Sequence, residues 1–391
     1  MLRFYTAGES HGQALVAILM GLPAGLAIDF EYVDRELKRR MGGYGRGGRM
    51  KIESDSAQFL SGVRHGATVG SPITVLIENH DWKNWSLAMA VEASPEAHAR
   101  YRPVSQPRPG HADLAGCLKY NLPDARYVLE RASARETAAR VAAGALAKLF
   151  LRALGIEIAS HVIRVGHVGL AARDVAFEEI LALRDRAEIA LSCVDPETEA
   201  LMKLEVDRAT EDRNTLGGVF EVVARGVPAG LGSNAQWDER LDGRLAQAVA
   251  SIQAVKAVDL GDGVESSGRF GSEVHDEIGY DREQARFTRR SNRAGGLEGG
   301  ISNGEEIVVR GYLKPISTLR RPLESVDFES REPVKAAYER SDICVVPAAG
   351  VAGEAMVALI LAQAFLEKFG GDSMGETRRN FEAYQEQLRR F

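Results

Sequence analysis

The sequence predicts an α+β fold built as a layered β-α-β sandwich, and three observations carry that reading. Four stretches have helical period, at 129–154, 244–258, 351–369 and 374–391. Four β-branched runs, Ile73–Ile77, Ile156–Val168, Val219–Val227 and Ile307–Leu313, read as strands. The two kinds do not alternate regularly, so helices and sheets are expected in separate layers rather than in βαβ units.

From the N-terminus, Leu2–Thr6 reads as a short strand ending in a Gly-flanked turn, Gly8-Glu9-Ser10-His11-Gly12. Asp34–Met41 looks helical and Met50–Ile52 begins a strand. Between Asn79 and Asp124 no period is sustained, and three prolines fall within Pro103–Pro109. A stretch that long inside a compact chain is expected to be an active-site loop, around 79–124. The first three helical segments end near Gly155, Gly261 and Gly370, where a left-handed cap is wanted. Residues 374–391 form a polar terminal helix. Gly217–Gly226 and Gly299–Gly311 echo each other as Gly-strand-Gly units, which raises an internal duplication.

No linker or charge block divides the chain, so one domain over 1–391 is expected. With 49 Lys+Arg against 55 Asp+Glu the formal charge is −6, which disfavours a DNA-coating role. Forty glycines lack a Gly-X-Y period, so a collagen-like chain is excluded. Cys117, Cys193 and Cys344 lie far apart and read as free thiols of a reducing compartment. The N-terminus lacks the apolar stretch of a signal peptide. The longest apolar run, Met356–Phe365, is interrupted by Gln363 and falls short of the roughly 20 residues of a membrane span. A cytoplasmic protein without membrane or nucleic-acid partners is expected.

Gly8–Gly12 matches the G-x-S-x-G elbow of serine hydrolases, but only seven residues precede it, too few for the strands that elbow requires. Its glycines instead let backbone approach a ligand beside Ser10 and His11. Gly43, Gly45 and Gly48 match G-x-G-x-x-G, yet helix precedes and strand follows, the reverse of a dinucleotide fingerprint. What remains is a cation run, Arg35, Lys38, Arg39, Arg40, Arg46, Arg49 and Lys51, interleaved with glycine. It reads either as a solvated basic face or as a strap whose Arg forks close on phosphate or carboxylate. RNA binding would want aromatics among the charges, and they are lacking.

His111 sits in a Pro-Gly turn, Arg108-Pro109-Gly110-His111. Imidazole titrates near neutrality and suits a proton donor to a leaving group. The remaining six histidines make no metal-ligand spacing, so no metal is expected. Arg131 and Arg135 share a helix face beside Ser133; they either pair with Glu130 and Glu136 or face an anion. Residues 291–304 hold five glycines and form a wide turn or a ligand wrap. Lys314–Thr318 and Arg340-Ser341-Asp342 add anion partners, Asp342 being either a carboxylate of the site or the ion-pair partner of Arg340.

Taken together these segments resemble chorismate synthase over nearly the whole chain. The carrying stretches are GESHG at 8–12, RRMGGYGRGGRMKIESD at 39–55, SGVRHGATVGSPI at 61–73 and RPGHADL at 108–114. ERASARETAARVA at 130–142, SIQAVKAVDLGDG at 251–263 and SNRAGGLEGGISNGE at 291–305 follow. KPIST at 314–318 and RSDICVVPAAGVAGEAM at 340–356 complete the set. Ala132 stands where many members carry Ser.

The resemblance implies elimination of phosphate and a ring proton from 5-enolpyruvylshikimate 3-phosphate, giving chorismate, with reduced FMN required and no net redox change. It implies that Ser10, His11, Arg40, Arg46, Arg49, Arg135 and Arg340 line the substrate site. FMN would meet Arg131, Ala132, Ser133, Gln253, Ala254, Gly299, Gly300, Lys314, Pro315, Ile316, Ser317, Thr318 and Arg340. His111 is implied as proton donor to the departing phosphate and His11 as proton donor to the flavin. Asp342 is implied to aid proton removal through flavin N5. If NADPH supplies reducing equivalents, Arg40 and Arg46 would bind it, although an external reductant is expected. A four-layered α+β unit with internal duplication, assembled as a homotetramer, is the implied architecture. The alternative is an RNA- or flavin-binding protein that uses the basic strap without catalysis.

Overall fold

Burial alternates residue by residue along the strands of the first sheet. In the computed structural model, which describes residues 1–47, 54–171, 175–186, 190–339 and 342–391, Leu15, Ala17 and Leu19 of one strand are buried while their neighbours are not. That strand, β2 (Ala14–Met20), pairs antiparallel with β1 (Arg3–Ala7) and β4 (Ile73–Glu78), and β3 (Gln58–Ser61) completes the sheet in the order β1-β2-β4-β3. Ile73, Val75 and Ile77 continue the apolar face, as period-2 burial requires.

The second sheet is buried on both faces in its centre. It contains β5 (Glu157–Val165), β6 (Val168–Gly169), β7 (Gly218–Arg225), β8 (Val255–Leu260) and β9 (Ile307–Leu313), ordered β8-β9-β7-β5-β6 and antiparallel throughout. Val219 to Ala224 are all buried, so this strand reads as a continuous apolar run interrupted by Glu221. The two echoing segments lie here as neighbours: Val222 of β7 pairs with Val309 of β9. They are adjacent strands of one sheet.

Helices fill the space between the sheets. The main helices are α1 (Phe30–Met41), α2 (Asp113–Tyr120), α3 (Arg126–Ala132), α4 (Thr137–Arg152), α5 (Pro196–Glu211), α6 (Leu241–Ala250), α7 (Val346–Phe369) and α8 (Met374–Arg390). α4 packs on the first sheet and α7 on the second, and the two helices pack against each other. The layers therefore run sheet, helix, helix, sheet around one core, with no closed barrel among the described residues. Gly144 makes the helix contact feasible, because a Cβ there would lie 2.3 Å from Ala355 Cβ. Gly353 does the same toward the sheet, where a Cβ would meet the Phe220 ring at 2.5 Å.

α7 starts ten residues before the apolar run read from sequence, with Pro347 in its first turn where a missing N–H costs nothing. It is long and apolar enough to span a membrane by composition, yet 89% of that window is buried inside the fold. A buried ion cluster ties it to its neighbours. Arg39 of α1 donates to Glu36 at 2.9 Å and to Glu354 of α7 at 2.7 Å, while Lys148 of α4 donates to both carboxylates. Burial opposes every one of these charges. Mutual attraction overcomes it, so Glu36 and Glu354 lie below the ordinary carboxyl range and Arg39 and Lys148 above their own.

Other expectations need correction. The helix read over 129–154 is two helices, because Ser133 is extended and its Oγ caps the backbone N–H of Arg135 at 3.3 Å. The helix read over 244–258 ends at Ala250; Ala254 turns at φ +70° and Val255–Leu260 is a strand, so Gly261 closes a strand and no helix. The segment 79–124 contains short helices at 82–85, 95–100 and 113–120, joined by turns. The strand read at Met50–Ile52 lies outside the described residues.

Candidate active site

Several turns meet at one end of the central helices and enclose a cleft of about 690 Å³. The β1–β2 turn brings Ser10 and His11, and the end of α1 brings Arg40 and then the Gly strap with Arg46. The 79–124 segment supplies Asp81, Trp85, Arg102, Arg108 and His111. The start of α4 and the turn before it supply Ala132, Ser133 and Arg135; the turn after α6 supplies Gln253 and Ala254. Lys314 to Thr318 leave β9 along one wall, and Asp342 precedes α7, whose Ala348, Ala349 and Ala352 floor the cleft.

Each histidine is clamped to a buried carboxylate. His11 Nδ1 lies 2.9 Å from Glu130 Oε1, and the His11 backbone N–H donates to Oε2 at 2.8 Å. Burial alone would raise the Glu130 carboxyl, but hydrogen bonds and charge from His11, with Arg126 at 3.1 Å, bring it below the ordinary value. His111 Nδ1 lies 2.5 Å from Asp113 Oδ1, and Arg108 donates to the same carboxylate at 2.8 Å. Asp113 is also buried, yet His111 and Arg108 together hold it well below the usual carboxylate range. Both carboxylates are thus anions, and each accepts from one ring nitrogen and fixes the orientation of its imidazole.

Among the described residues the wall carries seven cationic side chains, Arg40, Arg46, Arg102, Arg108, Arg126, Arg135 and Lys314, against three carboxylates, Asp81, Glu339 and Asp342. Behind it, Asp55 bonds Arg135 at 2.6 Å and lies 3.5 Å from Arg40. Arg40 also donates to Thr137 Oγ1 and to the Ala134 carbonyl, but its buried Nη1 has no hydrogen-bond acceptor among the described residues. Burial, followed by the Arg135 and Arg46 charges, lowers Arg40 to about 9 although Asp55 opposes the shift. The site is short of negative charge and would take a polyanion. Burial first, then Lys256, lowers Lys314, whose ammonium donates to the Gly110 carbonyl at 2.5 Å.

The strap is held in place by its neighbours. The Tyr44 hydroxyl donates to Asp207 of α5 at 2.7 Å, and Ile343 N–H donates to the Gly45 carbonyl at 2.8 Å. Asp342 accepts from the Gly47 N–H at 2.6 Å and lies 3.4 Å from Arg46. The solvated-face reading of the strap therefore fails for Arg40 and Arg46, both of which are buried or nearly so.

A flat, hydrogen-bonding cofactor fits one wall. Gln253 donates to Glu136 at 3.1 Å, while its Oε1 is buried with no donor among the described residues. A ring N–H would satisfy it. Beside it, Ala254 is in a left-handed turn, and its carbonyl accepts from Lys314 N–H at 3.0 Å, joining the two stretches expected to meet FMN.

Three expected site residues do not line the cleft. Arg131 turns away to bond the Thr6 and Gly8 carbonyls, and Gly299 and Gly300 lie in a hairpin turn tied to Arg240 and Leu241. Arg49 and Arg340 lie outside the described residues. Gly8–Gly12 joins two antiparallel strands and is not the strand-to-helix elbow of a hydrolase. Asp55, Trp85 and Arg126 carry no local sequence signal for this site, and Glu130 looks in sequence like the helix partner of an arginine. Asp113, two residues beyond His111, was the one whose proximity gave a local signal.

A family model described as chorismate synthase matches residues 2–366. A chorismate synthase of Acidobacterium capsulatum is 63% identical, and one of Koribacter versatilis 62%, each alignment covering all of both chains. A crystal structure of a chorismate synthase superposes with a TM-score of 0.79 at 44% identity, over 100% of this chain and 99% of that one.

Proposed function

The chain belongs to the chorismate synthase family, and we propose that its cleft holds 5-enolpyruvylshikimate 3-phosphate against reduced FMN, with His111 and His11 as proton donors. The reaction breaks the carbon–oxygen bond to phosphate and removes a ring proton, so that phosphate and chorismate leave with no net oxidation. Reduced flavin, when bound, supplies transient electron density that makes loss of phosphate feasible. Ala132, Ser133, Gln253, Ala254 and Lys314 to Thr318 would hold it.

The observation that carries this reading is the excess of cations around two histidine–carboxylate pairs. The substrate bears a phosphate and two carboxylates. Arg40, Arg46 and Arg135 provide guanidinium forks for those groups, and their burial strengthens each contact relative to water. His111 gives its proton to the departing phosphate, and Asp113, in contact with Nδ1, orients the ring for that transfer. Asp342, steadied by Gly47 and Arg46, assists removal of the ring proton. Arg49 and Arg340 join the anion clamp in this reading. Arg40 and Arg46 would also receive NADPH if it is the reductant.

Anaerobic mixing of enzyme, substrate and reduced FMN should release phosphate and chorismate in equal amounts. Phosphate without chorismate would mean ester hydrolysis and would overturn the reading. A parallel run with oxidised FMN and NADPH alone tells whether the chain reduces its own flavin; an external source is expected. We further propose a cytoplasmic homotetramer of single-domain chains, without nucleic-acid or membrane partners. Three buried free cysteines support a reducing compartment.

A further inference from the structure

The β1–β2 turn and the 79–124 segment meet at two rings. The Trp85 and His11 centroids are 4.1 Å apart with planes inclined by 30°. Glu130 grips the His11 ring at Nδ1, so one edge and one face of the imidazole are both occupied. Trp85 is itself fixed: its Nε1–H donates to buried Asp81 at 3.2 Å, and Asp81 also accepts from Asn84 at 2.7 Å. Arg126, which pairs with Glu130, lies 5.3 Å from the Trp85 centroid on the cation–π side of the same assembly.

An edge contact and a face contact together define a ring plane where one alone would leave rotation about it. We propose that Trp85 is a positioning residue for His11: the indole face sets the tilt of the imidazole, and Glu130 sets which nitrogen points into the cleft. The assignment rests on the reading of His11 as a proton donor. A misplaced donor loses turnover steeply, since about 1 Å of displacement can cost roughly 10²-fold, while substrate binding depends on other groups.

The test compares Trp85→Ala, Trp85→Phe, His11→Ala and, as control, Trp237→Phe at an exposed site, each as full-length protein with substrate and reduced FMN under anaerobic conditions. Trp85→Ala should lower kcat by about 10–10²-fold with KM little changed, and Trp85→Phe should recover most of the loss by restoring a face. Wild-type kcat in Trp85→Ala, with His11→Ala impaired, overturns the positioning role alone. Failure of Trp85→Phe to rescue overturns it too. Wild-type kcat in His11→Ala overturns the proton-donor reading beneath it as well. Should Trp85→Ala not fold, Trp85 emission in a Trp82→Phe/Trp237→Phe background decides: it should change on His11→Ala, and unchanged emission overturns the stack.

Discussion

Asp55 and Arg135, 80 positions apart in sequence, bond at 2.6 Å in full burial, and the same Asp55 oxygen is 3.5 Å from Arg40. One carboxylate thus serves two guanidiniums that face an anion site. Asp55→Asn should destabilise the fold by about 3–5 kcal/mol, the usual cost of breaking a buried pair. Added phosphate should recover more stability in the variant than in the parent, because the unopposed cations bind it more tightly. Urea midpoints with and without phosphate test this, and an equal response in both proteins would refute it.

Asp113→Asn keeps shape and removes charge. The His111 ring then loses the carboxylate that orients it, and turnover should fall by about 10²–10⁴-fold. His111→Ala should fall by about 10–10⁴-fold with substrate still bound. Single-turnover release of phosphate measures both; full activity in either would remove the acid role.

Asp113, Glu130 and Glu136 are all held below their ordinary values. A carboxyl depressed on folding adds stability that is fully present above its unfolded value, near about 4, and is lost as pH falls through the folded value. The stability gap between wild type and Asp113→Asn should therefore be constant from pH 7 to about 5 and shrink in stronger acid. Urea unfolding at a series of pH values checks the sign, and a gap that widened in acid would contradict it.

Gly144→Ala tests the helix contact. Helix propensity alone favours alanine by about 1 kcal/mol, but the added methyl would meet Ala355 Cβ at 2.3 Å and its Cα at 2.5 Å. Both neighbours sit on a packed helix. A net loss of about 1–3 kcal/mol is expected from overpacking, read as a lower denaturant midpoint at unchanged slope.

Arg46→Ala should weaken substrate or FMN retention far more than Arg389→Ala, whose side chain is 61% exposed on the terminal helix. Equilibrium dialysis of flavin with each variant compares them directly.

Period and β-branching made most of the framework legible. Ile73–Ile77 and Ile307–Leu313 are strands, and the apolar run at 351–369 lies within α7. Local signals failed where chain geometry changed inside a uniform composition. The helical period continues through Ser133, although the backbone becomes extended there, and Ala254 reverses the chain between a helix and a strand of similar apolarity. The cleft's cations and both histidines were visible because glycine and proline surround them. Their partners were not, since Asp55 and Arg135 meet only through tertiary packing and Glu130 looks like any helix carboxylate facing an arginine four residues away.

α7 follows every strand of both sheets in the sequence, yet it forms the middle of the sandwich. On a ribosome the first sheet and α4 must wait with the alanine-rich side of α4 uncovered until residues 346–369 emerge. Folding of this core is therefore a late and long-range event, of the kind that proceeds slowly and exposes apolar surface to chaperones. Nascent chains stalled before residue 346 should remain open to protease throughout. Those carrying α7 clear of the exit tunnel should become resistant in one step.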